Sequence, residues 1–141
     1  MSQAAGGALG GLRILDLATM AAGPWAASYL ADWGAEVIKV EHPETGDHVR
    51  RWGRAKDGVP LFWKSLSRNK RAITLRLSHP EGRAVALDLV RHCDAVVENF
   101  RPGVMERWGL GPDDLRAARP DVIVLRTTAF GQTGPYAGRP G

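Results

Sequence analysis

The chain has 141 residues, of which 44% are hydrophobic and 24% charged, and its net charge is +4. These proportions are typical of one globular domain and argue against disorder, and no basic run with interleaved aromatic residues indicates nucleic-acid binding. Since no apolar run approaches the ~20 residues of a membrane span, we expect no membrane association and a cytoplasmic location.

The first part of the chain predicts a β-α-β unit. A small-residue segment over residues 1–11 is expected to be a flexible lead-in, and residues 13–17 are a short apolar strand. A helix is predicted over residues 25–33 with Pro24 in its first turn, and a second strand over residues 36–41. Strand, helix and strand in about thirty residues imply a parallel pair.

The rest of the chain continues the same alternation after a long loop over residues 42–69, a length that is often functional. A strand is predicted over residues 72–77, and Ser78 with Glu81 forms a capping box for a helix to about Cys93. The later predictions are a strand over 95–98, a short helix over 104–108, a helix from Pro112 to before Pro120, a buried strand over 121–125 and a loop over 130–141.

This alternation indicates an α/β domain over residues 12–129 with about five mostly parallel strands. Residues 130–141 are expected to be a loop that leads to further protein. Cys93 is the single cysteine, which excludes an internal disulfide and indicates a reducing compartment, and we expect it to be a small buried residue.

Donors, cations and planar groups gather where the predicted strands end. In open parallel sheets, ligands bind at these carboxyl ends. The residues placed there include Met20, Ala21, Ala22, Glu41, His42, Leu75, Ser78, Asn99, Phe100, Arg101, Thr127 and Thr128. The four histidines lack a partner at metal-ligand spacing, so we expect no metal.

Some of these positions also have a purely local interpretation. In VVENFRPG (residues 96–103), Asn99 either caps the following turn or contacts a ligand, and Arg101 is either a solvated charge or a ligand group. Glu41 stands where an acid would meet the ribose of a dinucleotide. The loop ATMAAGPW, however, has one glycine where the dinucleotide fingerprint has three, so we expect no NAD and a solvated Glu41.

Five segments together resemble the N-terminal part of the class III CoA-transferase family, which also contains the α-methylacyl-CoA racemases. The resemblance extends from about Leu12 to the end of the chain. The segments are, in order, DLATMAAGP (16–24), DWGAEVIKVEHPETGD (32–47), RNKRAITLRLSHPEGRA (68–84), DAVVENFRPGVMERWGLG (94–111) and FGQTGPYAGRPG (130–141).

The resemblance implies a Rossmann-like domain, the N-terminal half of the family's large domain, that binds coenzyme A in an interlocked dimer. Family enzymes move CoA between carboxylic acids through an aspartyl anhydride, and the aspartate is expected beyond this chain, which itself has no catalytic residue. The expected partners are an acyl-CoA, a carboxylic acid, and a second copy or a missing C-terminal half. The alternatives are a piece of a racemase or a non-catalytic CoA-binding module.

The resemblance also implies the residues that contact CoA. His42 lies where many members have an arginine for the nucleotide phosphates, and Ser78 replaces a lysine seen in some members. The other implied contacts are Met20, Ala21, Ala22, Leu75, Asn99, Phe100, Arg107 and Trp108. From the residues themselves, Arg101 and Arg107 suit the phosphates, and Phe100 suits the adenine or the pantetheine arm.

Overall fold

A computed structural model describes residues 6–140, with seven strands in that range. The strands are β1 (Arg13–Asp16), β2 (Glu36–Glu41), β3 (Ala55–Lys56), β4 (Val59–Pro60), β5 (Lys70–Thr74), β6 (Ala95–Glu98) and β7 (Ile123–Arg126). The helices are α1 (Ala22–Asp32), α2 (Leu61–Leu66), α3 (Pro80–Val90), α4 (Val104–Arg107) and α5 (Pro112–Ala118), with a short 3-10 helix over His48–Arg51.

Five strands form one sheet in the order β5-β2-β1-β6-β7, and every neighbouring pair is parallel. The chain begins in the middle of the sheet, builds outward to β5, and then crosses to the other side of β1. This reversal between β1 and β6 is the kind of switch point at which α/β sheets bind ligands. The predicted Rossmann-like α/β fold is confirmed.

Successive strand residues point to opposite faces of the sheet, so the strands present apolar side chains on both faces. Helices cover both of these faces. Leu15 and Val96 face the side of α3, α4 and α5, within a core that includes Val90, Met105 and Leu115. Ile14, Val37 and Val97 face the other side, where they pack against Ala27 and Ala31 of α1.

The prediction of a buried last strand is wrong, because β7 is an edge strand. Ile123 is 67% exposed and Leu125 is 40% exposed. In register, they lie beside Ala95 and Val97, on the α1 side of the sheet. There α1 packs over residues nearer the middle, Val97 among them, and leaves these two side chains in solvent.

The third sheet strand lies earlier than predicted. It covers Lys70–Thr74 rather than 72–77, because β2 ends at Glu41 and Leu75 donates the last hydrogen bond to the carbonyl of Glu41 at 2.9 Å. The predicted capping box is also wrong: the residue before α3 is His79, whose Nδ1 accepts from the N–H of Glu81 at 3.4 Å. Pro80 opens the helix, and it holds the residue before it in an extended conformation.

The predicted loop over residues 42–69 contains the short 3-10 helix, the β3–β4 hairpin and α2. The hairpin turns at Asp57-Gly58, both with positive φ, which is a common two-residue hairpin turn. The ring centroid of Phe62 in α2 lies 5.5 Å from that of Trp25 and 6.3 Å from that of Trp52. The contact with Trp25 joins the segment to α1.

The two ends of the chain were predicted to be a flexible lead-in and a loop. Residues 1–5 of the lead-in and Gly141 lie outside the described residues. Within the lead-in, Leu9 donates to the carbonyl of Trp33 at 2.9 Å, and Leu9 also packs near α1. From Gly6 to Pro140, none of the helices has the length and apolar character needed to cross a bilayer.

Cys93 is buried, as predicted, with 1% of its surface exposed. Burial raises the pKa of its thiol to about 11, so the residue is a thiol packed in the core at neutral pH.

Candidate functional site

Two cavities lie side by side at the carboxyl end of the sheet, and Thr19 lines both. The first cavity, of about 300 Å³, is lined by Leu17, Thr19, Val40, Glu41, His42, Leu75, Leu77, Ser78, Phe100 and Trp108. The second cavity, of about 440 Å³, is lined by Thr19, Met20, Ala22, Asn99, Arg101, Pro102, Thr127, Thr128, Ala129, Ala137 and Arg139. Both volumes are in the range of small-molecule sites.

The structure brings most of the sequence-predicted residues into these cavities. The first cavity contains His42, Leu75, Ser78, Phe100 and Trp108, and the second contains Met20, Ala22, Asn99 and Arg101. Ala21, which precedes α1, and Arg107 of α4 line neither cavity. That any of the eleven contacts CoA stays a prediction.

Two aromatic side chains form one wall of the first cavity, and hydrogen bonds fix the backbone of one of them. Phe100 and Trp108 meet edge to face with ring centroids 4.9 Å apart. The N–H of Phe100 donates to Glu98 at 2.7 Å, and Arg126 donates to the same carboxylate at 2.5 Å. Because Glu98 is 1% exposed, the turn that carries Phe100 is anchored to the core of the sheet.

Asn99 connects the two strand ends at the switch point. Its Oδ1 accepts from the N–H of Thr19 at 2.8 Å, and its Nδ2 donates to the carbonyl of Thr19 at 2.7 Å. The local interpretation, in which Asn99 caps the turn that follows it, is therefore wrong. The side chain holds residues 17–21, which we call the β1 loop, in place from the neighbouring strand.

Buried charges hold the rest of the β1 loop. Asp47 accepts from the N–H of Met20 at 3.1 Å and forms an ion pair with Lys39 at 3.1 Å. Lys39 donates to the carbonyl of Ala18, and Asp16 accepts from the N–H of Ala18 at 3.1 Å. The backbone polar groups of Ala18 and Thr19, and the N–H of Met20, are thus all bonded to side chains.

A second buried pair lies beneath the start of α1. Lys70 donates to Asp16 at 2.9 Å and to the carbonyl of Pro24 at 2.5 Å. Burial lowers the pKa of Lys70, and the adjacent Asp16 carboxylate only partly opposes this shift. This pair gives Asp16 a structural role beneath the start of α1.

The prediction of a solvated Glu41 is wrong. Glu41 is 5% exposed, and its carboxylate accepts two hydrogen bonds from Arg50, at 2.6 and 2.7 Å. Burial by itself would raise the pKa of Glu41, but the bonds from Arg50 and from the N–H of Asp47 outweigh it and hold the pKa below its usual value. The guanidinium of Arg50 also lies 3.9 Å from the ring of Trp63.

The second cavity has cationic groups that are available to an anion. Over residues 6–140, neither Arg101 nor Arg139 has a carboxylate within 4.0 Å. The hydroxyl of Thr128, which lines this cavity, is buried and has no hydrogen-bond partner among the same residues. The two arginines suit an anionic ligand, and the hydroxyl of Thr128 could form a hydrogen bond with it.

Within residues 6–140, no three His, Cys, Asp or Glu side chains lie close enough together to hold a metal ion.

Sequence reasoning missed Thr19, Lys39 and Arg139, and it placed Asp47 only in a turn after the second strand without foreseeing its role. Lys39 and Asp47 carry no local signal, because their roles depend on a backbone loop more than twenty residues away along the chain. Thr19 could have been found because it follows the first strand, where ligand-binding residues are expected. Arg139 could have been found because no acidic residue lies near it in sequence to pair with its charge.

The fold and the site define an α/β protein of the Rossmann-like class with paired cavities at the switch point of a parallel sheet. A family model for CoA-transferase family III matches residues 9–141. The chain therefore belongs to CoA-transferase family III, and the resemblance stated from the sequence is confirmed.

Known relatives agree with this assignment. Succinyl-CoA–L-malate CoA-transferase β subunit of Chloroflexus aurantiacus is 52% identical over 134 residues, which are 94% of this chain and 33% of that protein. Human succinyl-CoA:glutarate CoA-transferase is 42% identical, over 94% of this chain and 31% of that protein. The crystal structure of a CAIB/BAIF family protein from Brucella suis superposes with a TM-score of 0.89 at 41% identity, over 96% of this chain and 37% of that one. The chain spans about a third of the length of the curated relatives it matches.

Proposed function

We propose that this chain supplies the CoA-binding part of a CoA-transferase that moves CoA between carboxylic acids. One observation carries the proposal: an aromatic, mostly apolar cavity adjoins a cavity with two arginines, and the two cavities meet at the switch point of the sheet. Coenzyme A combines an adenine, phosphates and a flexible arm, and this pair of environments suits such a ligand.

The first cavity suits the planar end of CoA. Phe100 and Trp108 offer aromatic surface, Leu75 and Val40 add apolar walls, and His42 and Ser78 stand at the polar border. Stacking of a nucleobase on an aromatic side chain contributes about 1–3 kcal/mol. We place the adenine here, with the phosphates toward His42.

The second cavity suits the thioester end and the carboxylic acid. Met20, Ala22 and Thr128 border the space, and Arg101 and Arg139 attract a carboxylate. The relatives act, by their names, on succinyl-CoA with malate, citramalate or glutarate, which favours small acids as substrates of this chain's protein.

The acidic side chains around the cavities are all engaged in ion pairs, which argues against a role for them as nucleophiles. Asp16, Asp47, Glu41 and Glu98 are each at most 5% exposed and each is bonded to a lysine or arginine. A carboxylate that carries an acyl group must be free to attack the thioester. We therefore propose that these acids shape the site, and that the carboxylate that carries the acyl group lies outside these 141 residues.

Titration calorimetry of the chain with CoA tests the proposal. We expect binding of CoA and no heat with NAD. Phe100→Ala should raise the Kd for CoA about tenfold, the loss expected for one stacking contact. Arg101→Ala should raise it by a smaller factor that shrinks with added salt, because the guanidinium is exposed.

Matched controls come from residues outside both cavities. Trp33→Ala removes a ring just after α1 that is 62% exposed, and Arg91→Ala removes an exposed arginine at the end of α3 that pairs with Asp88. Both should bind CoA as the unaltered chain does. Binding of NAD with no heat from CoA would refute the proposal.

A further inference from the structure

We propose that the buried Lys39–Asp47 ion pair positions the β1 loop for its ligand, by holding Met20 in a left-handed backbone conformation. This inference rests on the proposed function for the identity of the ligand. It concerns two residues that do not line either cavity, so they are positioning residues and not ligand contacts.

Met20 has an unfavourable conformation that requires an outside cause. Its φ is 65°, a region that residues with a Cβ atom rarely occupy. Its side chain is 40% exposed and borders the second cavity. A conformation of this kind persists only where surrounding contacts determine it, and such positions cluster at ligand sites.

The ion pair holds this conformation by bonding to the backbone on both sides of Thr19. Lys39 donates to the carbonyl of Ala18, and Asp47 accepts from the N–H of Met20, through Oδ1 at 3.1 Å and Oδ2 at 3.3 Å. The two ends of the pair thus bond two backbone groups that flank Thr19. An apolar pair of the same size could fill the space but could not make either bond.

Asp47 is itself held so that it can make these bonds. Its N–H donates to Glu41 at 2.9 Å, and its Oδ1 also accepts from the N–H of Val49 at 3.0 Å, which starts the 3-10 helix. Arg50 in that helix pairs with Glu41. The segment after β2 therefore holds the carboxylate of Asp47 in a fixed orientation beside the β1 loop.

The burial of the pair favours positioning over stability as its role. The side chains of Lys39 and Asp47 are 3% and 0% exposed. Replacing a buried ion pair by uncharged residues of similar volume often leaves the stability of a protein unchanged. A contribution to stability therefore does not by itself explain a buried pair, whereas a role in fixing a local geometry does.

Two double variants separate the positioning bond from the buried charges. Lys39→Met with Asp47→Asn, the amide variant, removes both charges and keeps an oxygen for the N–H of Met20. Lys39→Met with Asp47→Ala, the truncation variant, removes the charges and that oxygen. Amide hydrogen exchange at Met20 in the ligand-free chain, thermal unfolding and CoA titration are measured on both and on the unaltered chain.

We expect the truncation variant to unfold at a lower temperature than the amide variant, because it loses the two bonds that Asp47 accepts from the N–H groups of Met20 and Val49. In the truncation variant, the Met20 amide should exchange at least about tenfold faster than in the amide variant, and the Kd for CoA should be about tenfold higher, because the bond that fixes the Met20 amide is lost. The amide variant, whose only lost bond to the β1 loop is the one from Lys39 to the carbonyl of Ala18, should lie between the truncation variant and the unaltered chain in both measurements.

Three results would overturn the inference. They are equal Met20 exchange in the two double variants, loss of the fold in the truncation variant alone, or faster exchange with unchanged CoA affinity. If the unaltered chain gives no heat with CoA, the proposed function fails, and exchange at Met20 still decides whether the ion pair sets the loop conformation.

Discussion

Asn99→Ala should destabilise the chain, because the Asn99 amide holds the β1 loop. The substitution removes two hydrogen bonds, of 2.8 and 2.7 Å, both to the backbone of Thr19. A neutral hydrogen bond contributes about 0.5–1.5 kcal/mol net, so two predict a loss of about 2 kcal/mol in the free energy of unfolding. For a chain of this length, that loss lowers the unfolding midpoint by roughly 6–8 °C.

Urea unfolding followed by tryptophan fluorescence measures this loss directly. The chain has one other asparagine, Asn69, whose side chain donates to Asp32 in an exposed site. Asn69→Gly and Asn99→Gly therefore form a matched pair, of which only Asn99→Gly removes hydrogen bonds to the backbone of the β1 loop; Asn69 has a φ of 60°, which glycine accepts. If Asn99→Ala kept the full unfolding free energy while CoA binding disappeared, Asn99 would be a ligand contact and the reasoning would fail.

Three further predictions address packing, pH and charge. Gly82→Ala should lower the free energy of unfolding by about 1–3 kcal/mol in urea, although alanine favours helices, because the new Cβ would lie 2.1 Å from the carbonyl oxygen of Arg76. The pKa of Glu41 is lower in the folded chain, so its contribution to stability is present above its unfolded pKa of about 4.5 and is lost as the pH falls through the folded value. Glu41→Gln should flatten the acid limb of a plot of melting temperature against pH, while an unchanged limb would contradict this assignment. His42→Arg should lower the Kd for CoA about fivefold at low salt, since a guanidinium carries a permanent charge and can bind a phosphate through two hydrogen bonds, and an equal gain at about 1 M salt would argue against an electrostatic cause.

The strands at the centre of the sheet could be predicted closely from sequence. The structure has β2 at Glu36–Glu41 and β6 at Ala95–Glu98, the residues expected for them. Both are short runs rich in β-branched residues that are bounded by polar or glycine residues, and local pattern is enough to find such segments.

The exposure of β7 could not be predicted in this way. Ile123, Val124 and Leu125 have the composition of a buried strand, and only the order of strands makes β7 an edge. Strand order depends on contacts between distant segments, so the hydrophobic pattern alone does not contain it.

The candidate site was predictable in its location but not in its internal bonding. The rule that ligands bind at the carboxyl ends of strands points to the end of the sheet where the two cavities lie, and nine of the eleven residues predicted to contact the ligand line these cavities. The partners of Asn99 and Glu41 were not predictable, because Thr19 is 80 residues away from Asn99, and Arg50 lies in a segment without a regular pattern.

The bonding of the β1 loop has a consequence for how the chain folds. Its supports come from Asp47 and Asn99, which are 27 and 80 positions further along the chain than the residues they bond. Contacts of such long sequence separation form late, after the chain entropy of closing large loops has been overcome. We therefore expect the β1 loop to take its shape only when the central strands have assembled, so that a ligand that recognises this shape would select the native state over partly folded ones. Such a ligand should raise the melting temperature of the whole chain in proportion to the logarithm of its concentration once the site is saturated.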